Sequence, residues 1–215
     1  MKLEPTNQIR LFSHKEKFES LIKLYSENKL PNKILFSGEK GIGKCTLAYH
    51  MVNYILSLSE ENPYDTKNLQ INSKNKSFKL VQNKSNPNFI LIDVSVDKKN
   101  IDIDQIRNLI LSLNKSSFND KPRIVLIDNI ELLNINSINA LLKISEEPNE
   151  NINFILINNN KRVLPTLKSR CLNFKVFLTS TGIKIKIVVG HILRVVVRAV
   201  LDLGHSTGHP LRTGS

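Results

Sequence analysis

Residues 33–44, KILFSGEKGIGK, decide the fold. Positions 33–37 form a short apolar run with no helical period that leads straight into glycines, the pattern of a strand buried on both faces. Beyond the glycines, Leu47, Ala48, Met51, Val52, Ile55 and Leu56 fall on one side of a helix. Between strand and helix, residues 38–44 fit G-x-x-x-x-G-K. Glycines let the backbone turn tightly enough for its N–H groups to converge on a phosphate. The helix N-terminus adds positive potential, and a lysine at position 44 can reach the β- and γ-phosphates. Gly38, Gly41, Gly43 and Lys44 are therefore read as a phosphate cradle, with ATP the expected nucleotide. The next position calls for a Ser or Thr hydroxyl on Mg²⁺, and it holds Cys45. Magnesium is a hard ion that prefers oxygen, whereas a thiol is soft. Thr46 completes the nucleotide-contacting stretch but is rotated about a quarter-turn around the helix, so it is not expected to substitute.

Working outward, three more apolar runs occur at residues 89–94 (FILIDV), 123–128 (RIVLID) and 152–158 (INFILIN), and a fifth at 172–177. Helical patterns separate them: Ile103, Ile106, Leu109, Ile110 and Leu113 in one, and Ile138, Leu141, Leu142 and Ile144 in another, entered at Asn136. Strands alternating with helices of this length imply parallel crossovers, hence a three-layer α/β domain of the P-loop type with a five-stranded parallel sheet. Upstream, Ser13 and Glu16 have the spacing of a capping box, and Phe18, Leu21, Ile22, Leu24 and Tyr25 predict an amphipathic helix ending near Asn28. Residues 58–88, rich in Ser, Asn and Lys, predict a long surface excursion. Residues 123–131 (RIVLIDNIE) resemble the second nucleotide motif, in which an Asp at the strand edge holds Mg²⁺ through water; Asp128 is that residue. Where hydrolysing ATPases carry a Glu directly after it, this chain has Asn129, and an amide accepts no proton. Loss of a general base costs roughly a hundred- to ten-thousand-fold in rate. Glu131, three residues on, is expected to cap or decorate the next helix.

The 215 residues give room for one large domain, or one domain and an appendage, and exclude three. With 40% hydrophobic residues, a sizeable core is within reach. Two cysteines, Cys45 and Cys171, are too few for a disulfide framework, which points to a reducing compartment. The polar first ten residues lack a secretory h-region, and no run of 18 uncharged apolar residues occurs, so the expectation is a cytoplasmic protein without a membrane span. A net charge of +12 favours contact with a polyanion. Since 23 of the 31 cations are Lys in a chain equally rich in Asn and Ile, charge alone leaves direct nucleic-acid contact open.

Taken together, residues 30–36, 41–48 (GIGKCTLA), Asn88 before its strand, 103–113 (IDQIRNLILSL), 128–134, 139–148 (NALLKISEEP) and 164–171 (LPTLKSRC) resemble one family. It is that of the bacterial DNA polymerase III clamp-loader subunits, of the AAA+ ATPase class, and most of all its delta-prime members. The resemblance covers roughly residues 8–178. It implies that Arg170, between Ser169 and Cys171, reaches in trans into the ATP site of a neighbouring subunit. There a guanidinium stabilises charge on the transferring phosphoryl group, worth about a thousand- to a hundred-thousand-fold. It also aligns Asn158 loosely with the polar sensor of the γ-phosphate, a plain strand-end Asn being an equal reading. Family members often carry a four-cysteine zinc module after the phosphate loop. Residues 58–88 contain neither Cys nor His, so no zinc is expected.

From residue 179 the composition changes: 26 Asn lie in residues 1–178 and none in 179–215. Family pattern ends at the same place, so residues 1–178 are read as the AAA+-like domain and 179–215 as an atypical tail. The tail reads either as a shifted reading frame or appended sequence, or as a genuine short subdomain in place of the family's lid and collar. The resemblance then implies a delta-prime-like subunit with a degraded nucleotide site, in which ATP is bound rather than cleaved and Mg²⁺ is weakly held if at all. It would supply Arg170 to a neighbour, with other loader subunits as direct partners and the sliding clamp and primed DNA reached through the complex. Two alternatives stand beside it: an active motor using Thr46 or Glu131 in place of the missing groups, and a truncated remnant without a role.

Overall fold

Five runs of β-branched and aromatic residues fold into one sheet: β1 (Lys33–Ser37), β2 (Phe89–Ile92), β3 (Arg123–Ile127), β4 (Ile152–Asn158) and β5 (Leu172–Lys175). The computed structural model describes residues 4–95, 97–115, 119–146, 151–159 and 165–177; the tail expected at 179–215 lies outside these. Every strand pairing is parallel, and the order across the sheet is β2-β3-β4-β1-β5. Among the described residues, six helices connect and cover it: α1 (Lys15–Ser26), α2 (Lys44–Ser57), α3 (Lys76–Gln82), α4 (Ile103–Leu113), α5 (Ile135–Glu146) and α6 (Pro165–Ser169). A parallel sheet needs both faces covered, which explains why its strands read as unbroken apolar runs rather than alternating ones. On one face Leu35, Val125, Phe154 and Leu156 pack with Ile106 and Leu109 of α4, Leu141 of α5 and Leu167 of α6. The alternate residues Ile34, Phe36, Leu126 and Ile155 are buried too and face the side of α2, which carries Leu47, Met51 and Ile55. Among the described residues, no helix is long and apolar enough to cross a membrane.

Local signals place the helix ends. Asp102 and Gln105 close a capping box on α4, and Asn134 Oδ1 accepts from Ser137 N–H at the start of α5, two residues before the Asn136 suggested by the pattern. The helix α1 stops at a Schellman turn: Asn28 takes φ 54°, its N–H donates to Tyr25 O and that of Lys29 to Leu24 O. Its start departs from expectation. His14, not Ser13, is the N-cap, in the left-handed region at φ 68° and without a side-chain cap. The imidazole is instead bonded to Ile42 O, 28 residues away, and that tertiary bond decides the geometry.

Residues 58–88 are likewise more than a surface excursion. They contain α3, and Tyr64, Leu69, Ile71, Phe78 and Val81 are buried. Leu11 N–H donates to Leu69 O and Ile71 N–H to Ile9 O, so the segment pairs with the N-terminal arm. Tyr64 joins Phe18, His50 and Tyr54 in a cluster of rings with centroids 5.2 to 6.4 Å apart. Scattered apolar residues at no fixed period gave no sign of this, because each is buried by a distant segment.

Candidate functional site

Parallel strands end at one edge, so the loops after β1, β3 and β4 converge by topology alone. Gly38 begins the turn after β1 with no room for a side chain: a β-carbon there would stand 2.1 Å from the carbonyl oxygen of Val176. That carbonyl is fixed, since Val176 N–H donates to Ser37 O at 2.7 Å as β5 runs alongside β1. Gly43, at φ 93°, is the N-cap of α2 and turns the loop into the helix. Lys44 is next, 3% exposed, its ammonium donating to Gly38 O and Glu39 O at 2.8 and 2.5 Å. Burial pulls its pKa below the usual lysine range against the opposing pull of Asp128 and Glu131.

Asp128 lies at the end of β3. Burial and then the nearby Asp93 carboxylate raise its pKa, while the Cys45 thiol and the Asn129 N–H donate to it. Burial first, then Asp128, pushes the Cys45 thiol far up, so it stays protonated and donates. Asn129, at φ 58°, is a strut: its Nδ2 donates to Asp93 Oδ1 at 2.8 Å and its Oδ1 accepts from Asn159 Nδ2 at 2.7 Å. Glu131 Oε2 accepts from Asn159 N–H at 3.1 Å. Glu131 thus holds the end of β4 rather than capping a helix.

These groups enclose a cleft of about 350 Å³ lined by Gly41, Gly43, Lys44, Cys45, Thr46 and Asp128, together with Pro5, Asn129 and Asn159. The first six were legible in the sequence. Gly38 instead serves the close approach to Val176. Asn158, the candidate sensor, is 5% exposed at the end of β4 and does not line the cleft, whereas Asn159 does. Nothing in a run of three asparagines, residues 158–160, distinguishes them; the pleat sends neighbours to opposite faces. The arm residue Pro5 carried no signal at all.

Arg170 stands elsewhere. It follows α6, exposed, with Nη1 donating to Thr166 O at 3.1 Å, and it is framed by the buried Leu167 and by Cys171 packed on the core. Leu172 of β5 faces Ile34 of β1, so Arg170 lies level with Asn32 at the start of the strands. Gly38 is six residues further on, roughly 20 Å at about 3.3 Å per residue. Arg170 is therefore at the opposite edge of the sheet from the glycine loop of its own chain.

The donor set fits one of the two groups that the motif implies. A glycine loop with a helix N-terminus and Lys44 suits a phosphate chain. It does not suit magnesium: a thiol occupies the position of the hydroxyl and is bonded to the carboxylate that would face the ion. Among the described residues, no three of His, Cys, Asp and Glu are grouped to hold a metal.

A parallel sheet in the order β2-β3-β4-β1-β5, with a glycine loop leaving β1 and an Asp at the end of β3, defines an AAA+-type α/β domain. A gamma subunit-related protein of DNA polymerase III from Thermotoga maritima shares the fold, with a TM-score of 0.51 at 21% identity over 76% of this chain and 46% of that one. The chain belongs to the DNA polymerase III delta subunit family, whose sequence model matches residues 13–178. It is 31% identical to the DNA polymerase III subunit delta' of Pseudomonas aeruginosa over 64% of this chain and 40% of that protein. For the subunit delta' of Buchnera aphidicola subsp. Schizaphis graminum the values are 29%, 74% and 46%. The subunit gamma of the same Buchnera is 27% identical over 83% of this chain and 47% of its own. The chain thus spans less than half the length of these relatives.

Proposed function

We propose that the chain acts in bacterial DNA replication as a delta-prime-like subunit of the DNA polymerase III clamp loader, in the cytoplasm. It takes a triphosphate in its cleft without cleaving it and presents Arg170 to the ATP site of an adjacent subunit. The position of Arg170 carries this reading: it lies across the sheet from its own loop, on a helix end anchored by Leu167, too far to serve its own cleft and so suited to a nucleotide held by another chain. Loss of hydrolysis is supported by the Cys45 thiol on Asp128 and by Asn129, whose amide is committed to Asp93 and Asn159. The other clamp-loader subunits are the direct partners, and the sliding clamp and primed DNA are reached through them. A motor reading through Glu131 is disfavoured, because its carboxylate is engaged by Asn159 N–H.

The test is ATP turnover by the purified chain, alone and assembled with the other loader subunits, with and without Arg170→Ala. Negligible turnover alone, and a fall of about a thousandfold at the served site on Arg170→Ala, are expected. Robust turnover by the isolated chain, abolished by Lys44→Ala, overturns the proposal, as does an assembly indifferent to Arg170.

A further inference from the structure

The residue immediately before α1 touches the glycine loop from behind. His14 is 6% exposed, and its Nε2 lies 2.6 Å from Ile42 O. A carbonyl only accepts, so Nε2 carries the proton and donates. The ring also lies beneath Gly43: a β-carbon on Gly43 would stand 3.5 Å from His14 Nε2 and 3.7 Å from Ser13 Oγ. His14 itself adopts φ 68°, a backbone conformation that a β-carbon disfavours. Its own carbonyl meanwhile accepts from Phe18 N–H, opening the helix whose Phe18 is locked into the ring cluster. The imidazole is thus a short rod between a rigid helix and the middle of the loop.

Ile42 C=O and Gly43 N–H belong to one trans peptide, and in a trans peptide these two groups point in opposite directions. We propose that His14 is a positioning residue of this site: by drawing the Ile42 carbonyl toward α1 it turns the Gly43 N–H toward the cleft, where it meets a phosphate oxygen. The inference rests on the reading of the cleft as a triphosphate cradle. Sequence motifs miss it because the residue lies 24 positions before the loop it orients and belongs to no phosphate-binding pattern.

The test uses the full chain with the slowly hydrolysed probe ATP-γ-S in magnesium-free buffer, comparing His14→Ala with His14→Gln, whose amide can offer an N–H at about the same place. Removing the oriented donor should weaken binding roughly tenfold in His14→Ala, the scale of one hydrogen bond to a charged group, and His14→Gln should recover most of it. In the ATP-γ-S complex, amide exchange at Gly43 should quicken in His14→Ala and return toward normal in His14→Gln, a recovery that general loosening of the fold does not produce. Equal affinity in all three proteins overturns the inference, and so does a Gln variant as weak as the Ala variant. If the unaltered chain binds no ATP-γ-S, the cradle reading itself fails; the strut is then judged on Gly43 exchange in the free chain, and identical exchange in His14→Ala and the parent overturns it.

Discussion

Acidification should destabilise the fold through a single histidine buried beside the N-terminal arm. His50 of α2 is fully buried, with Nε2 donating to Gln8 O at 3.0 Å and Nδ1 accepting from Tyr64 Oη–H at 2.7 Å. The bond from Tyr64 needs a neutral ring, because only an unprotonated Nδ1 accepts; the bond to Gln8 survives protonation. Burial lowers its pKa from 6.5 to about 4, the bond to Gln8 pulling weakly the other way. The unfolded chain takes up the proton first, so this contribution is complete above pH 6.5 and is lost as pH falls from 6.5 toward 4. A displacement of about 2.5 pH units corresponds to about 3 kcal/mol, a sizeable part of the stability of a domain this size. Urea unfolding of the full chain between pH 7.5 and 4.5 should show that decline, and His50→Gln, although less stable at neutral pH, should show a much shallower one. Two other shifted groups contribute to the pH dependence: burial lowers the pKa of His14, which acts in the same sense, and raises that of Asp128, which acts in the opposite one. The difference between the two proteins isolates His50. Equal pH slopes would refute the reasoning, as would an imidazole NMR titration midpoint near 6.5.

Gly38→Ala should destabilise the chain by about 1–3 kcal/mol in chemical unfolding, since the added carbon meets a fixed carbonyl at 2.1 Å; an unchanged midpoint contradicts the close approach of Val176. Restoring a hydroxyl with Cys45→Thr should make ATP binding magnesium-dependent, by about tenfold in calorimetric titrations, without restoring cleavage because Asn129 remains. Parent and variant responding alike to magnesium would show that the thiol is not what excludes the ion. Arg170→Ala should leave nucleotide affinity of the isolated chain unchanged, as its position at the far edge of the sheet requires; a weakened affinity there would place the guanidinium in its own site.

Much of the fold was legible because burial on both faces writes itself into a strand as a continuous apolar run. The strand at 33–37 and that at 152–158 were read to the residue, and Lys44, Cys45 and Asp128 came from their positions beside such runs. Local rules succeeded where the interaction is local. They failed at Ser13, where a capping box was expected and a bond to Ile42 prevailed, and in residues 58–88, whose Tyr64 and Phe78 are buried.

The linear order of residues by itself determined that a glycine turn joins a buried strand to a helix, that a thiol replaces a hydroxyl, and that an amide replaces a carboxylate. These are matters of identity at adjacent positions, and chain connectivity fixes them. Only tertiary structure decided that Asn159 rather than Asn158 faces the cleft, that Asn129 ties Asp93 to the end of β4, that His14 grips the loop from behind, and that Arg170 lies across the sheet from it. Each depends on strand order and pleat, which bring together residues that are far apart in the chain and carry no pattern between them.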